Sequence, residues 1–308
     1  MNILITGAWN NWEDCREALE EMGHEVAFTQ QEKDPLPVAY EWVEGTICNG
    51  LFLHHDIDQF VNLKYIQLTS AGTDRVPEEK IRARGIRLHN AWGVYSVPMA
   101  EFAFGGVLQL YKKSRYFADN QRLRRWEKHR GLQELAGKTV CILGCGSVGT
   151  ACAKRFRAFD CRVVGVARSS GEKPDYDEIL PVQMLDAALS RSDIVVLTLP
   201  LTADTRYLMD RSRFAAMKPG SILVNIARGA IVDTEALIHA LEEKLGGAVL
   251  DVFEEEPLAP HCPLWDMGHV ILTPHNSFVG QGNGARLARI IMDNLEKKHE
   301  DSDRFTEK

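Results

Sequence analysis

The stretch Thr139-Val140-Cys141-Ile142-Leu143-Gly144-Cys145-Gly146-Ser147-Val148-Gly149 decides how this chain of 308 residues is read. A β-type apolar run feeds a Gly-x-Gly-x-x-Gly, and Val148, Cys152, Phe156 and Phe159 follow at helical spacing. Gly144 permits a tight strand-to-helix turn, Gly146 lets the backbone approach a pyrophosphate, and Gly149 lets helix and sheet pack closely. The helix start then offers unpaired N–H groups and a positive dipole end to phosphates. Three glycines alone say little; the strand before and the helix after make the motif specific. The loop of Gly144, Cys145, Gly146, Ser147, Val148 and Gly149 is therefore expected to hold a dinucleotide.

The next strand, Cys161-Arg162-Val163-Val164-Gly165-Val166, ends in Ala167-Arg168-Ser169-Ser170. An NAD-type site carries an acid there for the ribose 2′-OH. Its absence removes repulsion against a 2′-phosphate, and the Arg168 guanidinium with the Ser169 hydroxyl can bind one. NADP(H) is favoured, with NAD(H) possible. The plain alternative is a solvated turn in which Arg168 touches nothing.

The length suggests two domains and a large core. A net charge of −7 argues against a nucleic-acid surface without excluding a local basic pocket. The chain opens directly on a strand, Asn2-Ile3-Leu4-Ile5-Thr6, with no secretory leader pattern, and no apolar run approaches a membrane span. Seven cysteines without a Cys-x-x-Cys pair read as reduced thiols packed as small apolar groups, which points to the cytoplasm. No metal-ligand spacing is present.

The first ninety residues alternate short strands with helices or connectors, the strands being Asn2–Thr6, Glu25–Thr29, Thr46–Leu53, Tyr65–Thr69 and Arg87–His89. Asn11 is placed to cap a helix that Gly23 ends. Pro98 marks a break, after which Met99–Lys128 reads as one long helical region. The second α/β unit starts at Thr139, with later strands Ile194–Leu199, Ser221–Ile226, Ala248–Val252 and Val270–Thr273. A last helix, about Ala285–Lys298, precedes a charged tail, Glu300–Lys308, expected to fray. The expected architecture is α/β, with two doubly wound parallel sheets and ligands in the cleft between the domains.

Three strand ends carry further chemistry. Arg228 follows Val224-Asn225-Ile226-Ala227, carboxylates follow Leu250-Asp251-Val252, and His275 follows Leu272-Thr273-Pro274. In an open parallel sheet these ends share the edge that the glycine loop occupies. Singly, Arg228 could be a structural pair, His275 an ordinary histidine and Glu254-Glu255-Glu256 a solvated loop. Together they suit reduction of a 2-oxo acid: the arginine grips carboxylate and ketone oxygen, and the histidine gives a proton as hydride arrives. A carboxylate behind the histidine favours the imidazolium.

With these residues the chain resembles the D-isomer-specific 2-hydroxyacid dehydrogenases, from about Tyr65 to Asn276. The resemblance rests on Ser70-Ala71-Gly72-Thr73-Asp74, Asn90-Ala91-Trp92-Gly93-Val94, the glycine loop, Leu199-Pro200-Leu201-Thr202, Asn225 to Gly229, Leu250 to Pro257, and Pro263-Leu264-Trp265 before Thr273-Pro274-His275. It implies catalytic roles for Arg228, Glu256 and His275, the last two as a proton-donating pair. It implies that Asp251 holds the nicotinamide carboxamide, that Pro200 and Ala227 line the cofactor, and that Ala71 and Gly72 bind the substrate carboxylate with Arg228 and His275. It implies Rossmann-like and flavodoxin-like folds: a discontinuous substrate-binding domain, residues 1–97 plus 278–308, and an NAD(P)-binding domain, residues 98–277. The helix after Pro98 is then expected to join two subunits in a homodimer.

Two departures stand out: Asn276-Ser277-Phe278 after His275, where small apolar residues are usual, and the missing ribose acid. The expected function is an NAD(P)H-dependent oxidoreductase interconverting a small 2-oxo acid and a D-2-hydroxy acid, as a reductase of glyoxylate-like or hydroxypyruvate-like substrates. NAD-dependent oxidation of a D-2-hydroxy acid and a dinucleotide-sensing, corepressor-like role are the alternatives. Formate oxidation would need glutamine at Glu256, and an allosterically controlled phosphoglycerate dehydrogenase is not expected, since that reading calls for an additional regulatory domain. Substrate choice is expected to lie in loops such as Ala8-Trp9-Asn10-Asn11-Trp12 and His54-His55-Asp56.

Overall fold

The computed structural model describes residues 1–296. The chain divides into two compact units, Met1–Tyr95 with the described residues from Gly280 onward, and Ser96–Val279. The expected tail Glu300–Lys308 and the end of the last helix, Lys297 and Lys298, lie outside the described residues.

In the first unit, strands β1 (Asn2–Thr6), β2 (Glu25–Thr29), β3 (Gly45–Cys48), β4 (Tyr65–Leu68) and β5 (Arg87–His89) pair in parallel in the order β2-β1-β3-β4-β5. That order is the flavodoxin-type doubly wound sheet. Helices α1 (Arg16–Glu21) and α2 (Glu78–Ala83) lie between strands. Asn11 makes no side-chain cap; the chain first turns as a tight helix over Trp12–Cys15. The expected strand from Thr46 stops at Cys48. The Glu32 carboxylate accepts the Asn49 and Gly50 N–H groups at 2.6 Å each, removing them from any ladder, and Leu51–Leu53 then turns.

The second unit opens with helix α3 (Ser96–Tyr111). The single long helix expected there is two, because Lys113 turns left-handed (φ 53°) before α4 (Ser114–Arg122). Pro98 does not break the chain. It sits in the first turn of α3, where a missing N–H leaves no bond unmade.

Strands β6 (Thr139–Leu143), β7 (Arg162–Ala167), β8 (Glu178–Pro181), β9 (Ile194–Leu197), β10 (Ile222–Asn225), β11 (Gly247–Leu250) and β12 (Val270–Leu272) are all parallel, in the order β12-β11-β10-β9-β6-β7-β8. Strand order reverses between β6 and β9, the switch point at which such sheets bind nucleotides. Residues Ile194 to Leu197 have no exposure, as a strand covered on both faces requires.

Helices α5 (Ser147–Arg157), α6 (Leu185–Arg191), α7 (Arg211–Ala216) and α8 (Thr234–Glu243) connect the strands. Gly106 allows α3 to lie directly on the sheet: a Cβ there would meet Val249 Cγ1 at 2.6 Å. Phe159, expected on the face of α5, lies beyond its end and is half exposed, its ring tilted against that of Phe104. The last described helix, α9 (Asn283–Glu296), belongs to the first unit. Its Leu287 and Ile291 join Ile3, Ile5, Trp9 and Trp12 in one core, and Arg286 Nε donates to Val94 O at 2.7 Å.

Asp193, just before β9, ties three strand starts together. Its carboxylate accepts Thr139 N–H at 2.9 Å and the Lys218 ammonium at 2.6 Å, and its carbonyl accepts Ile222 N–H at 3.0 Å. Burial alone would push this carboxyl up, but the bonds from Lys218 and Thr139 outweigh that and hold it below the usual carboxylate range. A depressed carboxyl contributes stability above its unfolded pKa and loses it as pH falls through the folded value. Asp193→Ala is therefore expected to cost about 1–3 kcal/mol near neutral pH. In urea titrations the gap from the unmodified protein should be full above about pH 5 and close as acid protonates the aspartate. A gap independent of pH would rule out this ion-paired anchor.

Candidate active site

The loops at the C-terminal ends of the second unit's strands carry most of the expected site residues. The glycine loop follows β6. Gly144 takes φ 99°, and a Cβ on Gly149 would meet Gly144 O at 2.0 Å. The Thr198 hydroxyl braces this turn from after β9, donating toward Gly144 O at 2.6 Å and Leu143 O at 3.0 Å. Gly146 is the N-cap of α5, and no side chain caps that helix. Ser147, Val148 and Gly149 thus start the helix with backbone donors only. A cradle that admits no Cβ and a helix start without a cap fit a dinucleotide pyrophosphate.

Cys145 lies within this loop, buried, and burial pushes its thiol up, so it is a packing group rather than a nucleophile. Gly165 on β7 makes room for it: a Cβ there would meet Cys145 Sγ at 2.5 Å. Arg168 and Ser169 follow β7 and are exposed, with no acidic side chain at the strand end. Pro200 follows β9, exposed, with its carbonyl accepting from Thr205 Oγ1 at 2.7 Å.

After β10, the buried Asn225 side chain clamps the next loop. It accepts Ala227 N–H at 3.1 Å and donates to Arg228 O at 3.2 Å, holding Arg228 in extended backbone, half-buried. One guanidinium N–H of Arg228 donates to Ala227 O at 2.9 Å. Gly229 then presses directly on the loop after β11, where a Cβ would meet the Phe253 carbonyl carbon at 1.9 Å. The arginine loop and the acid loop are packed backbone to backbone.

Glu256 has both oxygens engaged. Oε1 accepts Phe253 N–H at 3.0 Å, and Oε2 lies 2.9 Å from His275 Nδ1. With a carboxylate as partner, Nδ1 is the donor, which leaves Nε2 to face outward; it has no protein partner among the described residues. The Phe278 ring stands edge-on to His275, centroids 6.1 Å apart, so the departure after the histidine puts an aromatic wall beside it.

Asp251 has no exposure. Its carboxylate accepts from Thr273 Oγ1 at 2.6 Å, Asn276 N–H at 2.8 Å and Ser277 N–H at 2.9 Å. It is the anchor of the His275 loop, a role that the resemblance did not suggest. Three of about four acceptor positions are filled, leaving one for any further donor.

In the first unit, Ala71 and Gly72 follow β4. Their carbonyls are taken by Asn90 Nδ2 (2.8 Å) and Ser70 Oγ (2.9 Å), and their N–H groups have no protein partner among the described residues. The two loops expected to choose the substrate are largely structural. Trp9 and Trp12 are buried, Trp12 stacked on Phe28, and His55 bonds Tyr40 and the Glu32 carbonyl. Sequence reading missed the bracing by Thr198, Asn225 and Gly229. Their positions directly after strands were the available signal.

A family model described as D-isomer specific 2-hydroxyacid dehydrogenase, NAD binding domain, matches residues 104–277. The chain belongs to this family. It is an NAD(P)-dependent dehydrogenase interconverting 2-oxo and 2-hydroxy acids. A glyoxylate reductase of Thermofilum pendens is 35% identical over 248 residues, covering 78% of this chain and 73% of that protein. A glyoxylate/hydroxypyruvate reductase A of Arabidopsis thaliana is 36% identical over 246 residues, 78% and 76%. Among solved structures, an NADPH-dependent glyoxylate/hydroxypyruvate reductase of Sinorhizobium meliloti, in complex with citrate, is 27% identical with a TM-score of 0.79, covering 96% of this chain and 93% of that one. No helix among the described residues is long and apolar enough to cross a membrane.

Proposed function

We propose that the enzyme works as an NADPH-preferring reductase of a small 2-oxo acid of the glyoxylate or hydroxypyruvate class. The observation that carries this reading is the His275–Glu256 pair at 2.9 Å, on loops of the same sheet edge as Arg228 and the glycine loop. The similarity to glyoxylate and hydroxypyruvate reductases supports the substrate class, and Arg168 and Ser169 in place of a ribose acid support NADPH. The nicotinamide, when bound, supplies the hydride for C2 of the substrate. His275 Nε2 gives its proton to the ketone oxygen while Glu256 holds the ring and balances its charge. Arg228 pairs with the carboxylate and polarises the ketone; the N–H groups of Ala71 and Gly72 are the further carboxylate donors. Pro200 and Ala227 contact the cofactor, and the remaining acceptor position of Asp251 suits the carboxamide N–H.

The protein is proposed to act as a homodimer. Beyond α4 the chain runs without regular structure from Arg125 to Leu135 and exposes Leu123, Trp126 and Leu132, with Trp126 at 99% exposure. Such a stretch suits burial against a second copy, and closed twofold dimers are the commonest soluble assembly. Light scattering at micromolar concentration should give twice the chain mass of 34.6 kDa; a monomer mass throughout would refute the dimer.

For catalysis, His275→Ala should lower kcat for the 2-oxo acid by about 10²–10⁴-fold. Calorimetric affinity for NADPH should stay within about twofold, because the histidine works on substrate. Near-full kcat in His275→Ala would move the proton donor elsewhere.

For the cofactor, kcat/KM should be higher with NADPH than with NADH, and Arg168→Ala should narrow that ratio by roughly tenfold to a hundredfold, the worth of one charge-assisted contact. Equal use of both cofactors by the unmodified enzyme would overturn the preference.

A further inference from the structure

Lys173 lies in the connection between β7 and β8, and its ammonium donates to the carbonyl oxygen of Cys145 at 2.7 Å. Cys145 is the residue between the first two glycines of the cofactor loop. The end of β7 is tied to the same turn, since Gly144 N–H donates to Val166 O at 2.9 Å, and Arg168 stands two positions beyond Val166. Lys173 is thus fixed on the opening residues of the glycine loop, and Arg168 follows the strand end that is tied to the same turn.

The charge pattern around them is uneven. Asp177 accepts Val163 N–H at 2.7 Å and pairs with Arg157, and Glu178 pairs with Arg162 and Arg191. Asp177 and Glu178 are thus engaged elsewhere, while Glu172 and Asp175 flank the lysine in the chain without an ion pair to it among the described residues. Among the described residues neither Lys173 nor Arg168 has a carboxylate within 4.0 Å. The uncapped start of α5 adds the positive end of a helix dipole to the same turn. The hydrogen-bond partner of this ammonium is a neutral carbonyl, so its charge is left to be met by an anion on the cofactor side. Nor is the loop loosely hung. Tyr176 is buried at its root, its ring 3.0 Å from where a Cβ on Gly165 would stand, against the same glycine that admits Cys145.

In a dinucleotide site of this type the pyrophosphate takes the helix start and the adenosine ribose takes the end of the second strand. A 2′-substituent on that ribose then lies beside the first residues of the glycine loop, where Lys173 is anchored. We propose that Lys173 is a second ligand of the 2′-phosphate, acting with Arg168. One of its N–H groups stays on Cys145 O, and the remaining two are available to phosphate oxygens.

The proposal rests on the NADPH reading, and one titration separates the two. Calorimetry with 2′,5′-ADP and with 5′-AMP, which differ only in the 2′-phosphate, is run on the unmodified protein, Lys173→Met and Lys173→Arg. Lys173→Met should weaken 2′,5′-ADP by about tenfold and 5′-AMP by less than about twofold, with Lys173→Arg recovering most of the loss. Equal weakening of both nucleotides would make Lys173 a loop tether and overturn the proposal. A preference for 2′,5′-ADP that survives intact in Lys173→Met would overturn it while leaving the NADPH reading standing. No preference in the unmodified protein would overturn the NADPH reading itself, and this proposal with it.

Discussion

The loop that presents His275 is built around a carboxylate with no access to solvent. Asp251 receives the Thr273 hydroxyl and two successive backbone N–H groups, Asn276 and Ser277, so the chain wraps around the acid immediately after the histidine. His275 itself sits at φ 52°, a conformation that costs a residue with a Cβ about 1–2 kcal/mol. That strain persists because its own N–H is held by the carbonyls of Asp251 and Thr273 and the residues after it by the Asp251 side chain. Without the buried carboxylate the histidine would relax toward an ordinary backbone and its ring would leave Glu256. His275 is thus placed by the end of β11, one strand in from the edge strand β12 that precedes it.

The same logic of backbone support runs along the sheet edge. Asn225 fixes the arginine loop, Gly229 seats it against Phe253, and Phe253 N–H fixes the Glu256 carboxylate, which in turn holds His275. Arg228 and Glu256 are each braced from within their own loop, by Asn225 and Phe253, while Gly229 and the Glu256–His275 pair join one loop to the next. A displacement of one is then felt by the next, and groups a few tenths of an ångström out of place lose much of their effect on a transition state.

The glycine loop and the buried parallel strands were legible in the sequence because both are local. A run such as Ile194-Val195-Val196-Leu197 can only be buried on two faces, and Gly144 and Gly149 answer close approaches that the backbone makes with itself. What sequence reading misjudged depends on partners distant in the chain. β3 ends at Cys48 because Glu32 captures the next two N–H groups, and nothing near Cys48 announces that. The break between α3 and α4 comes from a lysine at positive φ, with no glycine or proline as a signal. β8 was overlooked because four residues of an edge strand, Glu178-Ile179-Leu180-Pro181, show too little alternation. Trp9 and Trp12 looked like loop residues and are core, covered in part by α9 from more than 270 positions away. The candidate residues were found one by one; the bonds that align them were not, since a hydroxyl such as Thr198 or Thr273 reveals its acceptor only once the strands are side by side.

The cofactor edge of the second unit shows how one small residue sets the terms for its neighbours. Gly165 lies mid-strand in β7, where a side chain would ordinarily add to the core, yet a Cβ there would collide with Cys145 and crowd Tyr176. Leaving that space empty lets the glycine loop sink against the strand and lets the β7–β8 connection root itself beside it. The glycine turn and the loop that carries Arg168 and Lys173 beyond β7 therefore share a single packing contact. A larger residue at 165 would lift both at once, so the positions of the glycine loop and of the Arg168–Lys173 connection are coupled through sterics before any ligand arrives.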